Sequence, residues 1–419
     1  MEISDRIHKL SERAMADAAG RFREIDDIAQ TNTEKVLDSF RHHRVSDSHF
    51  SGTTGYGYND NGRETLDKIY ASIFGMDSAI VRVGFASGTH AITCALFAAL
   101  RPGQTLLSAT GTPYDTLRGV IGVAGMHRGS LRDYGIGYSQ IELGIDGRPN
   151  LSAIEKAVKS GSIGAVFIQR SRGYSSRRAL SVYDIDDIRD TVHGVDESIT
   201  VFVDNCYGEF TETIEPGDLG VDLIAGSLIK NPGGGLAPSG GYVAGREDLV
   251  EAAAFRLTAP GIGGEIGATL GINRLLFQGL FMAPHTVAQA MKTAVFSARL
   301  FELMGYKTSP GFLEPRSDII QMIELGSPKL VECFCRGIQE SAPIDSFAIP
   351  VGGDMPGYDC PVIMAAGAFV QGASIELSAD GPMREPFNVF VQGGLTFEAG
   401  KLGIMRAAAY LENYVDKSG

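Results

Sequence analysis

Tryptophan is absent from these 419 residues, and cysteine is scarce. The five cysteines, Cys94, Cys206, Cys333, Cys335 and Cys360, are an odd number and include no C-x-x-C pair. Cys333 and Cys335 stand too close together for a zinc knuckle, so neither a thiolate metal centre nor a disulfide framework is expected. The thiols read as reduced, as in a cytoplasmic protein. No run of about 18 uninterrupted apolar residues occurs, which excludes a membrane-spanning helix from the expectation. The first residues, Met1-Glu-Ile-Ser-Asp-Arg-Ile, are charged where a secretory leader is apolar. Basic runs are missing too. With 37 Lys and Arg against 50 Asp and Glu, the net charge is -13, which disfavours nucleic acid or an anionic membrane as partner.

What the chain has in excess is glycine, 53 residues of it, and enough length for two domains with substantial cores. Apolar spacing at Ile7, Leu10, Ala14 and Ala18, then at Ile25, Ile28, Val36 and Phe40, predicts two helices in the first 45 residues. A loop follows over Ser51–Asp60, then a helix over Gly62–Phe74. From Ala79 to about Gly245, short apolar runs alternate with helical patterns. The expected strands are Ala79–Val83, Thr105–Ser108, Ile163–Gln169, Thr200–Val203, Leu223–Ala225 and Gly241–Val243. The expected helices are Thr89–Ala99, Tyr114–Val123, Leu151–Lys159 and Val182–Val192. That rhythm argues an α/β domain with a mainly parallel sheet. A long helix over Pro284–Gly305 would lead into a smaller α+β unit, with strands at Ile319–Glu324, Pro361–Ala366 and Ile375–Leu377 and a last helix over Phe397–Tyr414. The division expected is a helical arm over 1–50, a large domain over 51–285 and a small C-terminal domain over 286–419.

One lysine is out of place in this pattern. Lys230 follows the apolar run Val221–Ala225 and precedes Asn231-Pro232-Gly233-Gly234-Gly235, where an ammonium is costly and glycines let the backbone approach a flat ligand. An amine that loses its charge by desolvation can condense with an aldehyde, and pyridoxal 5'-phosphate (PLP) supplies one. Such a site also needs an anion for the pyridinium, a phosphate cradle and a flat group on the ring. Asp204 ends the strand Thr200–Val203, at the edge where open α/β sheets bind ligands, and is the candidate anion. Ser87-Gly88-Thr89-His90 opens a helix after the first strand, so its backbone N–H groups would receive the phosphate. Ser227 is a second phosphate candidate. Tyr114 and His90 both qualify for the ring face, with Tyr114 preferred because it begins a helix over the same crevice.

These residues, in this order, resemble the fold-type I PLP enzymes of cysteine and methionine metabolism, which include cystathionine lyases and methionine gamma-lyase. Within them the chain is most similar to the methionine gamma-lyase-like group often labelled aluminium resistance proteins. The resemblance rests on Gly55-Tyr56-Gly57-Tyr58-Asn59-Asp60, on Lys230-Asn-Pro-Gly-Gly-Gly and on Glu376-Leu-Ser-Ala-Asp380-Gly-Pro-Met-Arg384-Glu-Pro. It implies a fold-type I large domain, Lys230 as the Schiff-base lysine, Asp204 as the pyridinium partner, and Ser87, Gly88, Thr89 and Ser227 around the phosphate. It also implies a homo-oligomer, commonly a dimer of dimers, in which a tyrosine and an arginine reach the neighbouring subunit's phosphate. Tyr56, Tyr58 and Arg63 are the residues on offer. Ile229 stands where relatives carry a phosphate-binding threonine. For the substrate α-carboxylate, Arg384 comes first and Arg406 second. The run Gln169–Ser176 and the loop Gly352–Asp359 would line the substrate pocket, and the arginines of that run would serve either substrate or phosphate.

The activity these parts imply is a carbon–sulfur lyase acting on a small amino-acid substrate by β- or γ-elimination. Lys230 would serve as base at the α-carbon, and Tyr114 would protonate the leaving group. An aminotransferase or aldolase shares the lysine and the aspartate, and a catalytically idle PLP-fold protein would keep the cofactor without turnover. A nucleotide-binding protein is disfavoured, since no G-x-G-x-x-G opens a helix after a strand.

Overall fold

The computed structural model describes residues 2–125, 128–355 and 360–418. The chain opens with α1 (Asp5–His42) and continues through α2 (Asn61–Ile73), β1 (Ser78–Arg82), α3 (Gly88–Ala99), β2 (Thr105–Ser108), α4 (Asp115–Ile121), β3 (Gly137–Gln140), α5 (Leu151–Lys159) and β4 (Ile163–Gln169). Next come α6 (Val182–His193), β5 (Thr200–Asp204), β6 (Leu223–Ser227), β7 (Gly241–Gly245), α7 (Glu247–Leu257) and α8 (Asn273–Leu303). The last part holds β8 (Lys307–Ser309), β9 (Gln321–Glu324), α9 (Pro328–Ser341), β10 (Val362–Ala366), β11 (Ser378–Pro382), β12 (Asn388–Gln392) and α10 (Phe397–Ser418).

Where two helices were expected in the first 45 residues, α1 is a single helix of 38. Its buried positions Ile7, Ala14, Ala18, Ile25 and Val36 keep one apolar stripe, and Gly20 between them has open space around its Cβ position, so nothing forces a turn there. The buried Asn32 amide donates to the carbonyls of Glu212 at 2.9 Å and Phe210 at 3.3 Å, tying the helix to the segment after β5. Likewise α8 begins before Pro284 and runs through it. A proline inside a helix costs about 3 kcal/mol in isolation. Here Leu280, Ala283, Val287 and Met291 on both sides of it are buried in the main core, which offsets that loss.

Seven strands form the large sheet in the order β1-β7-β6-β5-β4-β2-β3. All its neighbours are parallel except β7, which runs antiparallel to β1 and β6. The expected α/β architecture with a mainly parallel sheet is therefore present. Fully buried strands β5 and β6 carry apolar residues on both faces, as strands covered by helices on each side must. The C-terminal ends of β4, β5 and β6 bring Gln169, Asp204 and Ser227 to one edge. The second sheet is antiparallel throughout, ordered β10-β11-β12-β9-β8. The expected strand at Ile375–Leu377 is displaced, since β11 starts at Ser378. Strands β3, β8 and β12 and helices α7 and α9 have no counterpart in the sequence expectation. The strands are short, and α9 alternates apolar residues with charge over one narrow face. The expected boundary at 285/286 falls inside α8, which feeds Met291 and Val295 to the core under the large sheet and Leu300 and Phe301 to the core under the small one. Among the described residues, no helix is long and apolar enough to cross a membrane.

Two buried contacts beneath the large sheet's edge constrain the lysine segment. A Cβ on Gly279 of α8 would lie 2.3 Å from the Gly233 carbonyl oxygen, so helix and glycine turn touch backbone to backbone. Glu209 lies wholly inside, accepting from the Tyr242 hydroxyl at 2.9 Å, while its own carbonyl accepts from the Asn231 side chain at 2.9 Å. Burial pushes the Glu209 carboxyl up to about 8.

Gly279→Ala should lower stability by about 1–3 kcal/mol through overpacking, and an unchanged thermal midpoint would contradict the close contact. The raised Glu209 pKa contributes stability that is complete below the unfolded value near 4.5 and is lost as pH rises through about 8. Glu209→Gln should therefore show a smaller fall in thermal midpoint between pH 5 and pH 8 than the parent protein. Parallel pH profiles for the two would refute this.

Candidate active site

The carboxyl edge of the large sheet opens into a cavity of about 1190 Å³ whose far wall comes from the small sheet. Lys230 projects into it from the turn after β6, its Nζ 4.1 Å from the centroid of the Tyr207 ring. Asp204 sits at the end of β5, whose neighbour β6 pairs Ala225 with it. The carboxylate is buried and accepts from the Cys206 backbone N–H at 3.1 Å. Burial raises the Asp204 carboxyl, and the Lys230 charge works against that. For Lys230 the balance is the reverse. Burial disfavours its ammonium, but Cys206, Tyr207, Asp204 and Tyr114 outweigh it and hold the pKa well above that of a free lysine. The expectation that desolvation strips this amine of its charge is thus corrected.

The first turn of α3 forms the opposite corner. Ser87 caps the helix by accepting from the His90 N–H at 3.2 Å. Gly88 suits the close approach of two elements, since a Cβ there would lie 3.0 Å from that of Ser227 and 3.5 Å from the Cys206 sulfur. Thr89 shares a hydrogen bond of 3.1 Å with the Tyr114 hydroxyl. Tyr114 is held from behind, its backbone N–H donating to Gln169 Oε1 at 2.9 Å. Burial, and next the charge of Asp204, push the Tyr114 phenol up, so it stays neutral. Lys230, Asp204, Ser87, Gly88, Thr89, Ser227 and Tyr114 all line the one cavity.

His90 does not join them. Its ring meets Phe85 edge-on at 5.7 Å and its Nδ1 accepts from the Ala86 N–H at 3.2 Å, so α3 turns it away from the cavity. Arg384 lines the cavity, whereas Arg406 lies on α10 beside Glu340 at 3.5 Å. Tyr56 and Tyr58 project outward, 69% and 59% exposed, with their rings 5.6 Å apart. Arg63 is spent inside its own chain. It donates to the carbonyls of Gly57 at 2.6 Å, Gly267 at 2.9 Å and Glu265 at 3.2 Å, which fixes the tyrosine loop from beneath.

The Gln169–Ser176 run reaches the cavity, but its arginines are committed. Arg170 is fully buried between Glu212 at 2.7 Å and Glu215 at 3.4 Å. Arg172 donates to the Ser309 carbonyl at 2.6 Å and hydroxyl at 3.0 Å. Arg177, beyond that run, donates to the Gln169 carbonyl at 2.8 Å, and burial lowers its pKa to about 10. Of the expected Gly352–Asp359 loop, 356–359 lie outside the described residues.

Sequence reasoning missed Tyr207. It adopts φ of 71°, a conformation that is strained for any residue but glycine and carries its ring beneath the Lys230 amine. Nothing in Asp204-Asn-Cys-Tyr207 signals that backbone. The cavity fits pyridoxal phosphate on its own chemistry. A lysine amine, a buried carboxylate, a helix N-terminus and the glycine approach between Gly88 and Ser227 converge within it. Among the described residues, no group of three or more His, Cys, Asp or Glu side chains is placed to hold a metal ion.

The family model described as methionine gamma-lyase matches residues 7–412. The uncharacterized protein YnbB of Bacillus subtilis (strain 168) is 48% identical over 404 residues, which are 96% of this chain and 95% of that one. A solved structure described as a carbon-sulfur lyase involved in aluminum resistance, from Clostridium novyi NT, is 51% identical, with a TM-score of 0.94 and coverage of 97% and 96% of the two chains. More distant in sequence, the pyridoxal-5'-phosphate dependent protein YhfS of Escherichia coli is 18% identical with a TM-score of 0.62 over 94% of this chain and 97% of its own, a likeness of fold. With the family model spanning almost the whole chain and relatives near half identity, this chain belongs to the methionine gamma-lyase family.

Proposed function

We propose that the protein is a PLP-dependent carbon–sulfur lyase that eliminates a sulfur substituent from a small amino acid. The single observation that carries this reading is the convergence of Lys230 and Asp204 on one cavity with the α3 N-terminus opposite them. When bound, the cofactor supplies an electron sink for a carbanion at the substrate α-carbon. Lys230 would hold the cofactor and, once released, accept the α-proton at Nζ. Asp204 would keep the pyridine nitrogen protonated, a role its burial and its Cys206 hydrogen bond equip it for. The α3 N-terminus, with Thr89 and Ser227, would take the phosphate. Tyr114 is a neutral phenol beside this group and is the candidate donor to the departing sulfur. Arg384 is the cavity-lining candidate for the substrate α-carboxylate, in place of Arg406.

Incubating holoenzyme with L-methionine, L-cystathionine and L-homocysteine tests the reading. Thiol, ammonia and 2-oxo acid should appear together, and Lys230→Ala should reduce the rate by at least about a thousandfold. Amino-group exchange with added 2-oxo acids, without thiol release, would replace lyase by aminotransferase.

The exposed Tyr56–Tyr58 pair supports a second element of the proposal, an active site completed by a neighbouring copy of the chain. Arg63 anchors that loop rather than reaching out. Mixing inactive Lys230→Ala with a Tyr56→Ala/Tyr58→Ala double variant after joint refolding should restore about a quarter of wild-type sites, because half of each mixed dimer's sites are intact. No recovery, with mixed dimers demonstrated, would place both tyrosines outside the partner's site.

A further inference from the structure

Buried arginines in this fold come with a carboxylate, with two exceptions among the described residues. Arg82 and Arg170 each meet one at 2.7 Å, and Arg63 has Glu64 at 3.6 Å. Arg172 and Arg316 are only 1% and 5% exposed, yet neither forms an ion pair with a described residue. Both guanidiniums hold to one turn. Arg172 donates to the Ser309 carbonyl at 2.6 Å and hydroxyl at 3.0 Å. Arg316 Nη2 donates to the next carbonyl, that of Pro310, at 3.5 Å and to Gln321 Oε1 at 2.6 Å. All of these acceptors are neutral. Three further N–H groups, Nε of Arg172 and both Nε and Nη1 of Arg316, are buried without an acceptor among the described residues.

One buried carboxylate stands near. Asp318 is 1% exposed and acts on both guanidiniums more strongly than any other acid. Its oxygens are occupied by the Ser171 hydroxyl at 3.0 Å and by the backbone N–H groups of Arg172 at 3.2 Å and Ile320 at 3.1 Å. Of the other charges in reach, Glu314 is exposed to water, and Arg21 adds a cation that is already paired with Glu24. Two buried cations therefore share one buried anion, and a buried charge without a counterpart is costly. Burial, against the pull of Asp318 and together with the charge of Arg172, holds the Arg316 guanidinium down to about 9, so it is still charged at neutral pH. Arg172 lines the large cavity but Arg316 and Asp318 do not, which puts the unmatched charge behind the cavity's wall.

We propose that Arg172 and Arg316 form a binding site for one small monovalent inorganic anion, such as chloride, at the joint between the two sheets. Ser171 and Arg172 follow β4 of the large sheet, Ser309 ends β8, and Arg316 and Asp318 lie between β8 and β9 of the small one. An anion there accepts from the orphaned N–H groups and ties these segments together. With two cations against one carboxylate, a single negative charge completes the balance. A guanidinium is weakly hydrated and suits an anion that sheds its own water readily, which a doubly charged oxyanion does not. Because Arg316 stands outside the cavity lining, this ion is distinct from any substrate carboxylate, and the site does not depend on the lyase reading.

Two measurements on the full-length protein loaded with pyridoxal phosphate test this. In the first, protein exchanged into sodium gluconate is titrated with chloride at constant ionic strength. The thermal midpoint should rise by about 1–3 °C and then saturate, and bromide and nitrate should act as chloride does. Arg316→Met removes the unmatched charge and keeps an unbranched side chain. Its midpoint should be independent of chloride and, in gluconate, equal to or above that of the parent protein. In the second, crystals of the parent protein soaked in bromide should show an anomalous peak within hydrogen-bond reach of Arg172 Nε and Arg316 Nη1, a result that requires no variant to fold. Equal midpoints in chloride and gluconate, a chloride effect that survives Arg316→Met, or bromide peaks at other places only would each overturn the proposal. Neither measurement reads elimination, so the anion site and the lyase reading stand or fall separately.

Discussion

The buried Asp204 and the half-buried Lys230 face one cavity from neighbouring segments at the sheet edge, and much of the structure packs around them. Asp204 at the end of β5 stands in register with Ala225 of β6, and the chain leaves β6 only two residues before the turn that carries Lys230. Each charge is costly alone in this setting, and each offsets the cost of the other. Around the resting amine, Cys206, Tyr207 and Asp204 together favour the Lys230 ammonium against burial.

The packing around this pair leaves little room for adjustment. Behind the lysine, the glycine turn lies against α8 at backbone contact distance, and Asn231 is fastened to Glu209. In front, Tyr207 holds a left-handed backbone to bring its ring under the amine. To one side, Gly88 permits α3 to touch the Ser227 strand end. Helices α1 and α8 run beside both cores, and the small sheet's Met322 and Phe390 line the same cavity as Lys230.

Most of the cofactor side of this site was legible in the sequence. Asp204 and Ser227 close apolar strands, Ser87 to Thr89 open a helix, and Lys230 stands among glycines. Each of those signals is local, and α/β topology turns them toward a single edge. The small-sheet wall of the cavity was not legible, because it depends on register in an antiparallel sheet assembled from five separate strands. Phe390 and Asp380 face each other through pairing that no spacing reveals. His90 was misread for the opposite reason. It is adjacent to the cradle in sequence, but one step around a helix turns a side chain by about 100° and moves it to another face. The merger of two expected helices into α1 shows the same limit, since its buried stripe runs on from Ala18 to Ile25 within one helix.

On the proposed function, Lys230 is the residue that would bond the cofactor. Reducing the pyridoxal phosphate-loaded protein with borohydride and mapping the modified peptide by mass spectrometry tests it most directly. The added pyridoxyl mass should lie on Lys230 alone and vanish in Lys230→Ala, with Asp204→Asn still labelled but with weakened cofactor retention. Labelling of another lysine, or loaded protein that cannot be labelled, would contradict it.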